Sequence, residues 1–153
     1  MTPSESADVV AIQSVLATYI FAIDQKDFDA LDDIFADDAK LEYILGEGQV
    51  ISGGYPQVKD WIIRTINQFP VTQHLIGLPR IVVNGETANA TSMLFNPMLL
   101  ERGERRDLFF VGGTYHDRLR KTNGAWKIVE RVERGSWQYG SPADWTPPPF
   151  PAA

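Results

Sequence analysis

An α+β fold is predicted here, a cone-shaped barrel in which three helices of the N-terminal half pack on the concave face of a curved, mixed but mostly antiparallel sheet. Two observations carry it. Apolar residues recur at helical spacing only ahead of Pro70, and from Val71 onward long alternating runs are joined by Asn84-Gly85 and Asn123-Gly124, the dipeptides that favour the primed turns of hairpins. Helices and strands that come in blocks, not in alternation, point to α+β and away from a parallel α/β sheet.

Taken in order, Ser6 or Asp8 can cap a first helix whose apolar positions Ile12, Val15, Leu16, Tyr19 and Ile23 share a face and which ends near Asp24. Asp27 caps a short second helix with Phe28, Leu31, Ile34 and Phe35 inward, and Asp37-Asp38 marks its exit. Leu41 to Leu45 reads as a first strand, turning at Gly46 to Gly48 into Val50-Ile51. Pro56 opens a third helix carrying Val58, Ile62, Ile66 and Phe69 on one side, and Pro70 closes it. Strands over 71–83, 88–100, 108–120 and 125–137 follow, with the charged run 102–107 as a solvated loop. Gly112-Gly113 inside a strand marks a bend or a place where a ligand approaches backbone. Residues 1–137 form the domain, and 138–153, too proline-rich for helix or strand, form a tail. Proline-rich ends are usually mobile, yet Trp145 and Phe150 offer a second reading, a flap over a pocket mouth or a partner subunit.

Several function classes are excluded or disfavoured by composition. At 153 residues the chain is one domain, and a net charge of −6 argues against nucleic acid. Without cysteine there is no disulfide or thiolate nucleophile. Two histidines, with neither acid nor cysteine at ligand spacing, argue against a metal centre, and no phosphate loop or dinucleotide fingerprint is present. No cofactor is expected. The N-terminus lacks the features of a signal peptide, and no apolar stretch approaches ~20 residues, so the expectation is a cytoplasmic protein with no membrane partner.

The layout and several strings resemble the SnoaL-like branch of the nuclear transport factor 2 superfamily. The matching residues are Ile12 to Asp24, Phe28 to Ala39, Gly53-Gly54, Thr72-Gln73-His74, Gly112 to Tyr115, and Asn123 to Ile128. The likeness is nearest to hexachlorocyclohexane dehydrochlorinase and the bile-acid and scytalone dehydratases, in which a strand histidine abstracts a proton and an aspartate orients it. His74 and Asp24 fall at those positions. Where the dehydrochlorinases carry a lysine and an arginine, this chain has Tyr19 and Thr122, which points away from dehydrochlorination. A tyrosine five residues before the aspartate is the spacing of bile-acid dehydratases and makes Tyr19 a candidate acid. Those relatives also carry an acid on the strand after the histidine; none stands between Glu86 and Glu101 here, and Asn96 is the nearest replacement. The resemblance further implies a homo-oligomer, dimer or trimer.

On the strand from Val71, alternation puts Thr72, His74, Ile76 and Leu78 on one face. Asp24 beside His74 would fix the ring tautomer that leaves one nitrogen free as base. Such a pair has no nucleophile and suits proton abstraction from carbon: elimination, isomerisation or cyclisation. The alternatives are a core or surface histidine for His74, a helix-terminal residue bonded to local backbone for Asp24, and a core aromatic for Tyr19. Residues five apart on a helix point about 140° away from each other, so Tyr19 and Asp24 meet at one pocket only if the helix end is irregular or the pocket wide. Tyr43, Trp61, Phe95, Phe109, Tyr115 and Trp137 are candidate pocket walls. Arg131 and Arg134 could steady an enolate or a carboxylate. The expected function is a cofactor-independent lyase or isomerase, dehydratase-like, acting on a small hydrophobic cyclic molecule. The alternatives are a polyketide cyclase and a non-catalytic binding protein or accessory subunit of the same fold.

Overall fold

The structure, a computed structural model, describes residues 2–45, 48–140 and 146–150. Helix α1 (Pro3–Gln25) starts earlier than expected because Thr2, not Ser6 or Asp8, caps it. The Thr2 side chain accepts from the Glu5 backbone N–H and the Glu5 carboxylate accepts from the Thr2 N–H, a capping box that satisfies two otherwise orphaned donors. Asp8 is instead held by Lys121 Nζ and Trp126 Nε1, at 2.7 and 2.9 Å. The helix ends where Lys26 turns left-handed, with φ 58°, and Lys26 Nζ donates to the Phe69 carbonyl at 2.9 Å. That bond ties the last turn of α1, and Asp24 with it, to the segment leading into the next strands.

Helix α2 (Leu31–Ile34) is a single turn, and β1 (Phe35–Ile44) follows at once. The expectation that Phe35 belongs to the helix and that Asp37-Asp38 marks its exit is corrected here. Phe35 is fully buried, meets Tyr19 edge-on and stacks on Tyr55, and it pairs with Ile128 in the sheet. Packing of that ring outweighs the local helical spacing. After β2 (Val50–Gly54) comes α3 (Tyr55–Ile66), as the Pro56 signal requires.

The expected single strand over 71–83 is three short ones, β3 (Val71–Thr72), β4 (Leu75–Ile76) and β5 (Arg80–Asn84), all paired with the long β6 (Thr87–Arg102). β7 (Arg105–Thr122) and β8 (Ala125–Tyr139) complete the meander. The order is β2-β1-β8-β7-β6-β3, with β1 parallel to β8 and the other pairs antiparallel. The sheet is curved and mixed as expected, but among the described residues it stays open and does not close into a barrel. The charged run is no loop: β6 and β7 turn tightly at Gly103, with φ 61°, and Arg106 and Arg105 pair with Glu101 and Asp107.

The helices and the inward face of the sheet enclose the main core, from Ile12 and Leu16 through Trp61 to Leu119 and Ile128. By length and composition α1 is apolar enough to cross a membrane. This corrects the expectation that no stretch comes near that length. In the fold its Ile12, Leu16, Tyr19 and Ile23 form one wall of the core.

Candidate active site

Between α1, α3 and the sheet lies a cavity of about 990 Å³. His74 opens onto it from the gap between β3 and β4. The break in the ladder matters chemically, because the His74 backbone N–H is not spent on a sheet neighbour. It donates to Asp24 Oδ2 at 2.7 Å, while the ring Nδ1 lies 2.6 Å from Asp24 Oδ1 and the Thr72 hydroxyl donates to the same oxygen at 2.8 Å. Leu78, which simple alternation puts on the same face, is 89% exposed because the chain leaves the strand after Ile76.

Asp24 sits in the last turn of α1, where the helix dipole disfavours a negative charge. Burial also works against its ionisation, but the His74 ring, the His74 N–H and the Thr72 hydroxyl outweigh it and hold the carboxyl below its usual range. An ionised carboxylate only accepts hydrogen bonds. Nδ1 therefore carries the proton of the pair, and in the neutral ring Nε2 is left as the basic nitrogen.

Tyr19 lines the cavity and Asp24 does not, so the two point apart as helix geometry requires, and Asp24 stands behind the histidine. Tyr43, Trp61, Phe109 and Tyr115 also line the cavity. Burial raises the Tyr19, Tyr43 and Tyr115 hydroxyls above their ordinary value, against the pull of Arg131, so all three remain proton donors.

Phe95 and Arg131 lie elsewhere than expected, and Trp137 reaches the cavity by way of a bulge. Phe95 alternates with buried Leu94 and Asn96, so its ring is on the face turned away from the helices, near Phe110 and Trp137 at 5.9 and 6.0 Å. Trp137 borders the cavity, but the register slips between Gly112 and Gly113, and its indole lies where a Gly112 Cβ would be. One extra residue on a bulged strand flips every later side chain. Arg131 is 1% exposed and bonded to Asp117 through Nε and Nη2 at 2.7 and 2.8 Å. Its guanidinium is covered by the Tyr19 and Tyr115 rings, 4.0 and 4.4 Å to their centroids. It underlies the wall and is not itself part of it.

One residue is absent from the sequence expectations. Glu133 lies on β8, buried and facing the cavity. Burial pushes its carboxyl up to about 7, against the nearby Arg131 charge and the Tyr115 hydroxyl. The signal was available: Arg131 and Glu133 are two apart on one strand and so share a face. At the rim, Thr146 and Pro147 complete the lining, and the Pro148 and Pro149 carbonyls accept from Trp61 Nε1 and Arg64 Nη1 at 3.0 and 3.1 Å. Residues 146–150 thus fold back over α3 as a flap, with Phe150 against Gly53; Trp145 lies outside the described residues. No group of three or more metal-ligating side chains occurs among the described residues.

Residues 4–132 match the family described as SnoaL-like domain. The chain belongs to the SnoaL-like family. This SnoaL-like protein is 37% identical over 138 residues to the uncharacterised protein Rv2910c of Mycobacterium tuberculosis, covering 90% of this chain and 92% of that one. Its fold is similar to that of a candidate scytalone dehydratase from Novosphingobium aromaticivorans, with a TM-score of 0.79, 20% identity and full coverage of both chains. It is also similar to hexachlorocyclohexane dehydrochlorinase LinA-type3 from Novosphingobium barchaimii, with a TM-score of 0.75, 18% identity and coverage of 95% and 97%. At these identities the two solved structures show a shared fold, and a fold hosts many chemistries.

Proposed function

We propose that this SnoaL-like protein is a cofactor-independent, dehydratase-like lyase or isomerase that removes a carbon-bound proton from a small hydrophobic cyclic substrate. The observation that carries the reading is the 2.6 Å contact between His74 Nδ1 and the Asp24 carboxylate, made by a histidine that opens onto a large, aromatic-walled cavity. His74 Nε2 takes the proton. Asp24 holds the ring and stabilises the imidazolium that results, a positioning role. Tyr19, with its proton retained by burial, donates a hydrogen bond to a substrate oxygen. Trp61, Tyr43 and Phe109 supply the apolar walls that fit rings and exclude water.

The test is incorporation of solvent deuterium beside the carbonyl of bicyclic ketones such as decalones, read by NMR. Wild type is expected to catalyse the exchange and His74→Ala to lose it by about 100-fold or more, with its thermal unfolding unchanged. A wild type that binds these ketones and exchanges nothing is a binding protein, not a lyase. The absence of cysteine and the packing of α1 into the core support a cytoplasmic location. Exposed Met93, Leu108, Trp137 and Tyr139 on β6, β7 and β8 support self-association through the sheet.

A further inference from the structure

A row of polar side chains crosses the sheet beneath the cavity. In register, Tyr43 of β1 faces Glu133 of β8, Glu133 faces Tyr115 of β7, and Tyr115 faces Ser92 of β6. All four are buried, and the first three line the cavity. Among the described residues Glu133 is the one carboxyl in that lining. Arg131, two residues earlier, is committed to Asp117 by two hydrogen bonds, so Glu133 is not consumed in that pair. One further group of the lining, Asn96 Oδ1, is buried without a hydrogen-bond partner, and the buried Tyr43 hydroxyl has the Tyr19 hydroxyl beside it. A buried acceptor left unpaired is costly, and in a cavity wall it calls for a ligand that carries a donor such as a hydroxyl.

We infer that Glu133, flanked by Tyr43 and Tyr115, is the acid of the site, and that the substrates are cyclic β-hydroxy carbonyl compounds whose leaving hydroxyl it protonates. This rests on the reading of His74 as carbon base. His74 Nε2 takes the proton from the carbon beside the carbonyl, and that electron pair becomes the carbon–carbon double bond. The neighbouring carbon–oxygen bond breaks with its electrons, Glu133 gives its proton to that oxygen, and water leaves. The ring is then protonated and Glu133 ionised; one proton lost to solvent and one regained resets both. Tyr43 donates to the carbonyl oxygen, where negative charge develops, and Asn96 Oδ1 accepts from the hydroxyl of the bound substrate. Burial suits the acid to this role, since it raises the carboxyl to about 7, so that a large share of it still holds its proton near neutral pH.

The experiment compares wild type, Glu133→Gln and His74→Ala on β-hydroxydecalones, on their β-acetoxy counterparts, whose leaving group needs no proton, and in deuterium exchange beside the carbonyl. Glu133→Gln is expected to slow loss of water by about 100-fold or more while acetate loss and exchange stay within a few-fold of wild type. If water loss is unimpaired, or if water and acetate loss fall equally, Glu133 is not the acid and the proposal is overturned, with the His74 reading left standing. A wild type that neither exchanges nor eliminates overturns the His74 reading and this one with it.

Discussion

Replacing Glu133 by glutamine keeps the shape of the side chain and removes its titration, so it isolates what the buried carboxyl does to the fold. The carboxyl ordinarily ionises near 4.5, and in the folded protein burial moves this to about 7. Below the lower value both folded and unfolded chains hold the proton. As pH rises towards the upper one, the unfolded chain releases it while the folded chain does not, and stability falls. At about 1.4 kcal/mol for each pH unit of difference, wild type loses about 3 kcal/mol between roughly pH 4 and pH 8 through this one group. Against a total of about 5–15 kcal/mol that is large, and in urea it moves the midpoint by about 2 M. Urea unfolding of both proteins across this range is the assay. Glu133→Gln should match wild type at the acid end and exceed it by about 3 kcal/mol at the alkaline end. A difference between the two proteins that does not change with pH would refute the reasoning, since Glu133 would then titrate as an ordinary surface acid.

Asp24→Asn removes the negative partner of His74 and frees the ring to take the wrong tautomer. Its turnover number should fall by about 1000-fold with little change in KM, and a fall confined to KM would contradict the positioning role. Because the Asp24 carboxyl is held below its usual range, its contribution to stability is present above that range and lost as pH falls through it. Acid unfolding of Asp24→Asn should therefore be shallower than that of wild type. Gly113→Ala places a Cβ on the Arg134 carbonyl across the bulge and should cost about 2–3 kcal/mol in urea unfolding, whereas an unaltered midpoint would show that the bulge is not required. Tyr139→Lys, on the exposed sheet face, should shift sedimentation towards monomer; a wild type already monomeric at every concentration contradicts the self-association.

Much of the fold was legible because the apolar pattern changes period once, near Pro70, and because two Asn-Gly dipeptides announce the hairpins. The error at Phe35 came from reading local helical spacing where a fully buried ring decides for the sheet. The break around His74 was not legible, since the residues on either side have strand character and the interruption is held by a carboxylate fifty positions away. Phe95 was misplaced although alternation with Asn96 gave its direction. Trp137 borders the cavity as expected, but the slip of register at Gly112 and Gly113 that turns its indole is not revealed by alternation alone. The closeness of Asp24 and His74, 2.6 Å apart, was expected from their positions in related sequences. Glu133 was missed because a charged residue on the last strand reads as solvated until the neighbouring tyrosines are seen to cover it.

The central claim is that His74, oriented by Asp24, removes a proton from carbon in the cavity. It is tested most directly by the rate at which a bound decalone takes up deuterium from solvent, compared between wild type and His74→Ala at equal ligand occupancy. Exchange by wild type and a loss of about 100-fold or more in the variant is the predicted result; equal rates in the two proteins would contradict it.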